Sequence, residues 1–139
     1  MGKRLKSVLL DTNIIVSAVV YGGKPREVLD GVWQNMFKGV TSETLLAELR
    51  EVIHKKFPFH KYELRHIEER IKEDFEVVKP RKTVDLLADK DENRVLEVAV
   101  TGECDFIVTG DKDLLDIKSY KKIKVVTPAD FLAFSGVGE

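Results

Sequence analysis

Short apolar runs alternate with amphipathic helical stretches along the whole chain. That alternation limits the possible folds more than any single residue does. Residues 5–10, Gly39–Thr41, Glu76–Lys79, 105–109 and Ile123–Val126 read as short strands. Between them lie helical stripes. The first follows Pro25 with Val28, Leu29, Val32 and Trp33, and Phe37 falls one turn beyond. The second spans about residues 42–55, with Ser42 placed to cap it and Leu45, Leu49, Val52 and Ile53 on one side. A third covers 62–74 (Leu64, Ile67, Ile71), and a fourth carries Val95, Leu96, Ala99 and Val100 before a stop at Gly102. Thr127-Pro128-Ala129-Asp130 opens a closing helix with capping-box-like spacing and proline at the first helical position. About five strands interleaved with helices predict a three-layer α/β/α sandwich around a mostly parallel sheet. Nothing divides the chain, so one domain is expected over 1–134, with a frayed tail at 135–139.

Composition excludes more than it selects. The 139 residues suffice for one cored domain and are too few for two ordinary ones. A formal net charge of −1 leaves any nucleic-acid binding to local patches rather than to a bulk field. The single cysteine, Cys104, rules out an internal disulfide framework and reads as a packing residue. No apolar stretch approaches a membrane span and no leader pattern opens the chain, so a cytoplasmic protein with no membrane partner is expected.

The chemistry-bearing residues are acids. Asp11 ends the first strand, Glu48 rides the second helix, Asp91 opens the fourth, and Asp111 follows the strand Phe106-Ile107-Val108-Thr109. Each has an ordinary alternative. Asp11 could cap the next helix, Glu48 could reach solvent beside its apolar stripe, and Asp111 and Asp113 could be turn residues. In Asp89-Lys90-Asp91-Glu92-Asn93, part of the acid complements the helix dipole, though three carboxylates in four residues exceed that need. The coincidence is the informative part. In open α/β sheets ligands bind outside the carboxyl ends of the strands, and four chain positions deliver carboxylates there. Two such charges at ~4 Å repel by roughly 4 kcal/mol at an effective dielectric of about 20. Mg²⁺ or Mn²⁺, which prefer carboxylate and water oxygens, would reverse that sign and bring phosphate chemistry with it.

Basic residues cluster locally. Lys55, Lys56, Lys61 and Arg65 fall on or beside the second and third helices with Phe57, Phe59 and Tyr62 between them. They read equally as a solvated face and as a surface combining phosphate contact with base stacking on single-stranded nucleic acid.

Taken in order, Val8-Leu9-Leu10-Asp11-Thr12-Asn13, Leu45-Leu46-Ala47-Glu48-Leu49, Asp91-Glu92-Asn93 with Leu96-Glu97-Val98-Ala99, Ile107-Val108-Thr109-Gly110-Asp111-Lys112-Asp113-Leu114 and Val125–Leu132 resemble the PIN-domain family. The resemblance runs through nearly the whole chain. It is nearest the prokaryotic branch of toxin ribonucleases from toxin–antitoxin pairs. It implies a homodimer, a cognate antitoxin and divalent-metal cleavage of single-stranded RNA. Asp11, Glu48, Asp91 and Asp111 become the catalytic acids, with Asp11, Asp91 and Asp111 as metal ligands. Asn13, Thr109 and Asp113 become supporting residues. The family commonly pairs aspartates in the third motif; here Asp91 is followed by Glu92, which could share or take the role. Two rival readings remain open at this point. One is a non-catalytic RNA- or partner-binding module of the same fold. The other is a phosphatase or phosphoacceptor domain using Asp11 as nucleophile, which is disfavoured by Asn13 two residues on.

Overall fold

The first apolar run becomes the centre of the sheet. In the computed structural model, which describes residues 4–135, β1 (Lys6–Leu10) lies between β2 (Phe37–Thr41) and β4 (Phe106–Val108) and runs parallel to both. The sheet has six strands in the order β3-β2-β1-β4-β6-β5. All neighbours are parallel except β5 (Ser119–Tyr120) against β6 (Ile123–Val126). Strand β3 (Glu76–Val77) forms the other edge.

Side-chain alternation explains why β1 must be central. Val8, Leu9 and Leu10 are all buried, so both faces of this strand are covered. One register row crosses the sheet as Val40, Leu9, Ile107 and Val125. It packs with Val95, Leu96 and Ala99 of α5 (Lys90–Thr101) and Leu114 of α6 (Lys112–Ile117). The next row, Leu10, Val108 and Val126, faces the other way. It joins a core supplied by α1 (Thr12–Val20), α2 (Gly23–Trp33), α3 (Glu43–Lys56), α4 (Lys61–Asp74) and α7 (Pro128–Ser135). The result is the expected three layers. Each fully buried leucine or isoleucine in these rows contributes about 1.5–3 kcal/mol relative to exposure.

Local signals act as expected at several ends. Ser42 Oγ accepts from the Leu45 amide at 3.2 Å and starts α3. Thr127 Oγ1 accepts from the Asp130 amide at 3.1 Å, with Pro128 leading α7. Cys104 is buried, and desolvation pushes its thiol up to about 12, so it serves packing.

Other details differ from the sequence reading. Phe37 does not continue α2. The chain turns through Asn35 (φ 60°), the Met36 amide bonds back to the Gly31 carbonyl at 2.8 Å, and Phe37 starts β2. A sixth strand, β5, and the short helix α6 occupy a stretch in which the sequence showed only turn acids and lysines. The expected four-residue strand at Glu76 shortens to two exposed residues. Gly102 does end α5, but with φ −80°; the left-handed residue is Glu103 (φ 52°). Ser135, expected in the tail, closes α7; residues 136–139 lie outside the described ones.

Candidate metal centre

Strands β1 and β4 are neighbours, and the chain leaves them in opposite directions across the sheet. This is a topological switch point, where loops diverge and leave a crevice at the carboxyl ends. Asp11 follows β1 and Thr109-Gly110-Asp111 follows β4. The backbone keeps both loops in register: the Asp11 amide donates to the Val108 carbonyl and the Thr109 amide to the Val126 carbonyl, each at 3.0 Å.

Asp11 stands at the start of α1, yet its side chain makes no capping bond to that helix. Instead Asp11 Oδ2 accepts from Thr109 Oγ1 at 2.8 Å. Thr109 is fully buried, and its hydroxyl also accepts from the Asp111 amide at 3.0 Å. One hydroxyl therefore ties two loops together. Desolvation raises the Asp11 carboxyl above its usual range and the Asp111 charge adds to this, while the Thr109 hydroxyl and the amides opening α1 oppose it.

The acids around α5 divide their work. Asp89 Oδ1 caps the helix, accepting from the Asp91 amide at 2.8 Å and the Glu92 amide at 3.4 Å. Asp91 is exposed at the cleft wall. Glu92 is only 8% exposed and turns inward. Its Oε2 is wholly buried and has no hydrogen-bond partner. Glu92, Asp111 and Asp113 each place a carboxylate oxygen within 4.8 Å of the other two. Desolvation pushes Glu92 up to about 7, reinforced by the Asp111 charge and by a hydrogen bond that a protonated Glu92 can give Asp111, and then by Asp113 and Asp89; with both carboxylates ionised, Glu92 Oε2 has no donor.

Glu48 faces this group from α3. It is half-buried and is also pushed up to about 7, first by desolvation and then by the charges of Asp91 and Asp11. Asp11, Glu48, Asp91, Glu92 and Asp111 all line one cleft of about 380 Å³. The four acids expected to converge do so, and Glu92 joins them. Asn13 is at the rim and exposed, whereas Thr109 lies beneath. Lys55 and Lys56 line the same cleft, with Lys55 held to Glu51 at 2.6 Å. Lys61 and Arg65 line a separate groove between α3 and α4, so the four predicted cations do not share one wall.

A buried carboxylate oxygen with no donor is costly unless a cation or proton satisfies it. Two further carboxylates within ligand range make an all-oxygen donor set suited to a hard divalent ion. The residues present thus fit a hard divalent cation. Glu92, Asp111 and Asp113 form the nearest set, and Asp11 stands beside them through Thr109.

Sequence reasoning missed Asn93. It is 4% exposed; Oδ1 accepts from the Leu86 and Leu87 amides at 3.2 and 2.8 Å, and Nδ2 donates to the Leu87 carbonyl at 2.7 Å. Those bonds staple the segment before Asp89 to α5, and so fix where Asp89 and Glu92 stand. An asparagine one turn ahead of Leu96 and two ahead of Val100, inside an apolar stripe, was the available signal.

A family model for the PIN domain matches residues 7–113. The chain belongs to the PIN-domain family. None of the curated proteins matches it. PIN domains are typically metal-dependent nucleases and usually use divalent ions, and the matched span holds every acid of the cleft. Among the described residues of this PIN domain, no helix is long and apolar enough to cross a membrane.

Proposed function

We propose that this PIN domain is an endoribonuclease that hydrolyses phosphodiester bonds of single-stranded RNA with the help of Mg²⁺ or Mn²⁺. The observation that carries the reading is the donorless Glu92 oxygen, buried beside Asp111 and Asp113 at the β1/β4 switch point. In this reading Asp11, Glu92 and Asp111, with Asp113 beside them, hold the cation. Glu92, the alternative in the sequence reading, takes here the ligand place that reading gives to Asp91. Asp91 stays at the mouth, where its charge adds to the burial that raises Glu48.

A divalent cation bound there would neutralise charge on the phosphate oxygens and acidify an attacking water. Glu48, facing the cleft from α3, is suited to accept that water's proton as its oxygen bonds to phosphorus, while the bond to the leaving ribose oxygen breaks and that oxygen takes a proton from solvent. Thr109 holds Asp11 and the Asp111 backbone in fixed relation, so neither carboxylate must reorganise during the reaction. Lys55 and Lys56, on the same cleft, offset the repulsion between an acidic site and a phosphate chain. A homodimer acting as the toxin of a toxin–antitoxin pair in the cytoplasm is the biological setting we attach to this activity.

The test is cleavage of an end-labelled single-stranded RNA in Mn²⁺ and in EDTA. The wild type should cut only with metal, and Asp11→Asn and Glu92→Gln should each lose at least a hundredfold in rate while staying folded. Tight RNA binding without any cutting would instead make the chain a binding module. A stable aspartyl phosphate formed on Asp11 would make it a phosphoryl-transfer domain.

A further inference from the structure

Lys55-Lys56-Phe57-Pro58-Phe59-His60-Lys61-Tyr62 connects α3 to α4, and the catalytic reading leaves its aromatic rings without a task. Phe59 is 95% exposed and Tyr62 is 66% exposed. A phenylalanine in that state adds nothing to the core and leaves most of a large apolar surface in water. Pro58 begins a one-turn 3₁₀ helix, Pro58–His60, that presents Phe59, so the ring stands on a restricted backbone. Phe57 is half-buried and meets the edge of Tyr21 at 6.4 Å between centroids, and Tyr21 is itself exposed. Lys61 Nζ lies 5.3 Å from the Tyr62 ring centroid.

The segment also begins inside the acid cleft. Glu48 and Lys55 are seven residues apart on α3, about 10 Å along the axis and on the same face. Lys55 and Lys56 line the cleft, and only two residues, Phe57 and Pro58, lie between Lys56 and Phe59, a span of at most about 11 Å of chain. The order along the surface is acids, lysines, then exposed rings.

We propose that Phe59 and Tyr62, with Lys56 and Lys61 beside them, form a base-stacking platform that holds single-stranded nucleic acid as it enters the acid cleft. Successive bases stack on aromatic faces without sequence preference, and lysines interleaved with the rings meet the phosphates between them. A duplex, whose bases are already stacked, has nothing to offer the rings. Charge separates this occupant from a protein partner. The buried centres of protein interfaces are depleted in lysine and glutamate, whereas here Lys56, His60, Lys61 and Glu63 separate or flank every ring. The direction of entry rests on the nuclease reading above; the binding itself does not.

The test uses the whole chain and a fluorescein-labelled dodeca-uridylate, with affinity read by anisotropy in EDTA and again in Ca²⁺. Phe59→Ala combined with Tyr62→Ala should weaken binding at least tenfold, while Phe59→Trp with Tyr62→Phe should hold it within about twofold. An RNA duplex of the same length should bind more weakly and be indifferent to both pairs of changes. The variant positions are exposed, so melting temperatures should not move. Unchanged affinity in the alanine pair would overturn the platform. So would an affinity loss that accompanies conversion of a dimer to a monomer in sedimentation, because the patch would then be a contact between copies. Cleavage that needs Asp11 but ignores the alanine pair in binding would leave the nuclease standing without the platform. Ring-dependent binding with no cutting in Mn²⁺ would do the opposite.

Discussion

Thr109 Oγ1 donates to Asp11 Oδ2 across 2.8 Å, joining loops that lie 98 positions apart in the chain. The same oxygen accepts from the Asp111 amide. Thr109→Val keeps the shape and removes both bonds in a fully buried place. It should cost about 1–3 kcal/mol of stability, because a buried donor and acceptor lose their partners. It should also lower the cleavage rate by more than tenfold. Thr109→Ser should restore most of both. Urea unfolding followed by RNA cleavage assays checks the pair; a Thr109→Val protein with wild-type stability and rate would deny the hydroxyl any organising role.

Asp91 and Glu92 are adjacent, and their environments differ sharply. Asp91 is exposed, while Glu92 is buried with an unsatisfied oxygen. Glu92→Gln should therefore abolish Mn²⁺ binding measured by calorimetry. Asp91→Asn should leave it within about a factor of five, the range expected for removing one exposed charge worth roughly 1 kcal/mol. The reverse ranking would return the ligand role to Asp91.

Two glutamates give the metal-free protein an unusual pH dependence. Glu48 and Glu92 titrate near 4.5 when unperturbed and near 7 in the fold. Between those values the folded state binds more protons than the unfolded one, so stability must fall as pH rises. The contribution is complete below about pH 4.5 and gone above about 7. Without metal, the protein should melt at a higher temperature at pH 5.5 than at pH 8. The double change Glu48→Gln with Glu92→Gln should flatten that slope. A metal-free melting temperature that rises through this window would contradict the assignment.

Saturating Mn²⁺ should turn the same trend around, because the cation binds the ionised carboxylates. At a hundred times its dissociation constant, it should add about 2.7 kcal/mol, a shift of roughly 10 °C for a domain of this size. Differential scanning fluorimetry at pH 8 with and without metal reads this directly. No shift would mean that the acids do not form a site.

Asn93 ties down the backbone that leads into the acids at the start of α5. Its amide group makes three bonds to the Leu86 and Leu87 backbone. Asn93→Ala should destabilise the domain by about 2–3 kcal/mol. Hydrogen exchange should speed up at Leu87, whose amide makes the shorter of the two accepted bonds. Unchanged exchange there would show that the segment is held by other contacts.

Much of this architecture is legible in the residues. The run Val8-Leu9-Leu10 had to be buried on both faces, Ser42 and Thr127 announce their helices, Asp11 and Asp111 each follow a strand, and Glu48 rides a helix beside its apolar stripe. What was illegible was short or tertiary. Helix α6 has six residues and is capped by Asp111 itself, so one side chain serves as both cap and site. Strand β5 is two residues that exist only through pairing with β6. The sequence reading takes Asp91 with Glu92 as its alternative, because both are acids in the first turn of the same helix. Spacing does not separate the two: Glu92 lies three and four residues before Val95 and Leu96, and Asp91 lies four before Val95, so which one turns inward is a tertiary outcome.

Anomalous diffraction from a crystal soaked in Mn²⁺ locates the cation outright. One dominant peak is expected in the cleft, about 2.0–2.3 Å from a carboxylate oxygen of Glu92 and one of Asp111. A soaked crystal with no peak between β1 and β4, or with manganese bound only at acids elsewhere on the surface, would contradict the metal site.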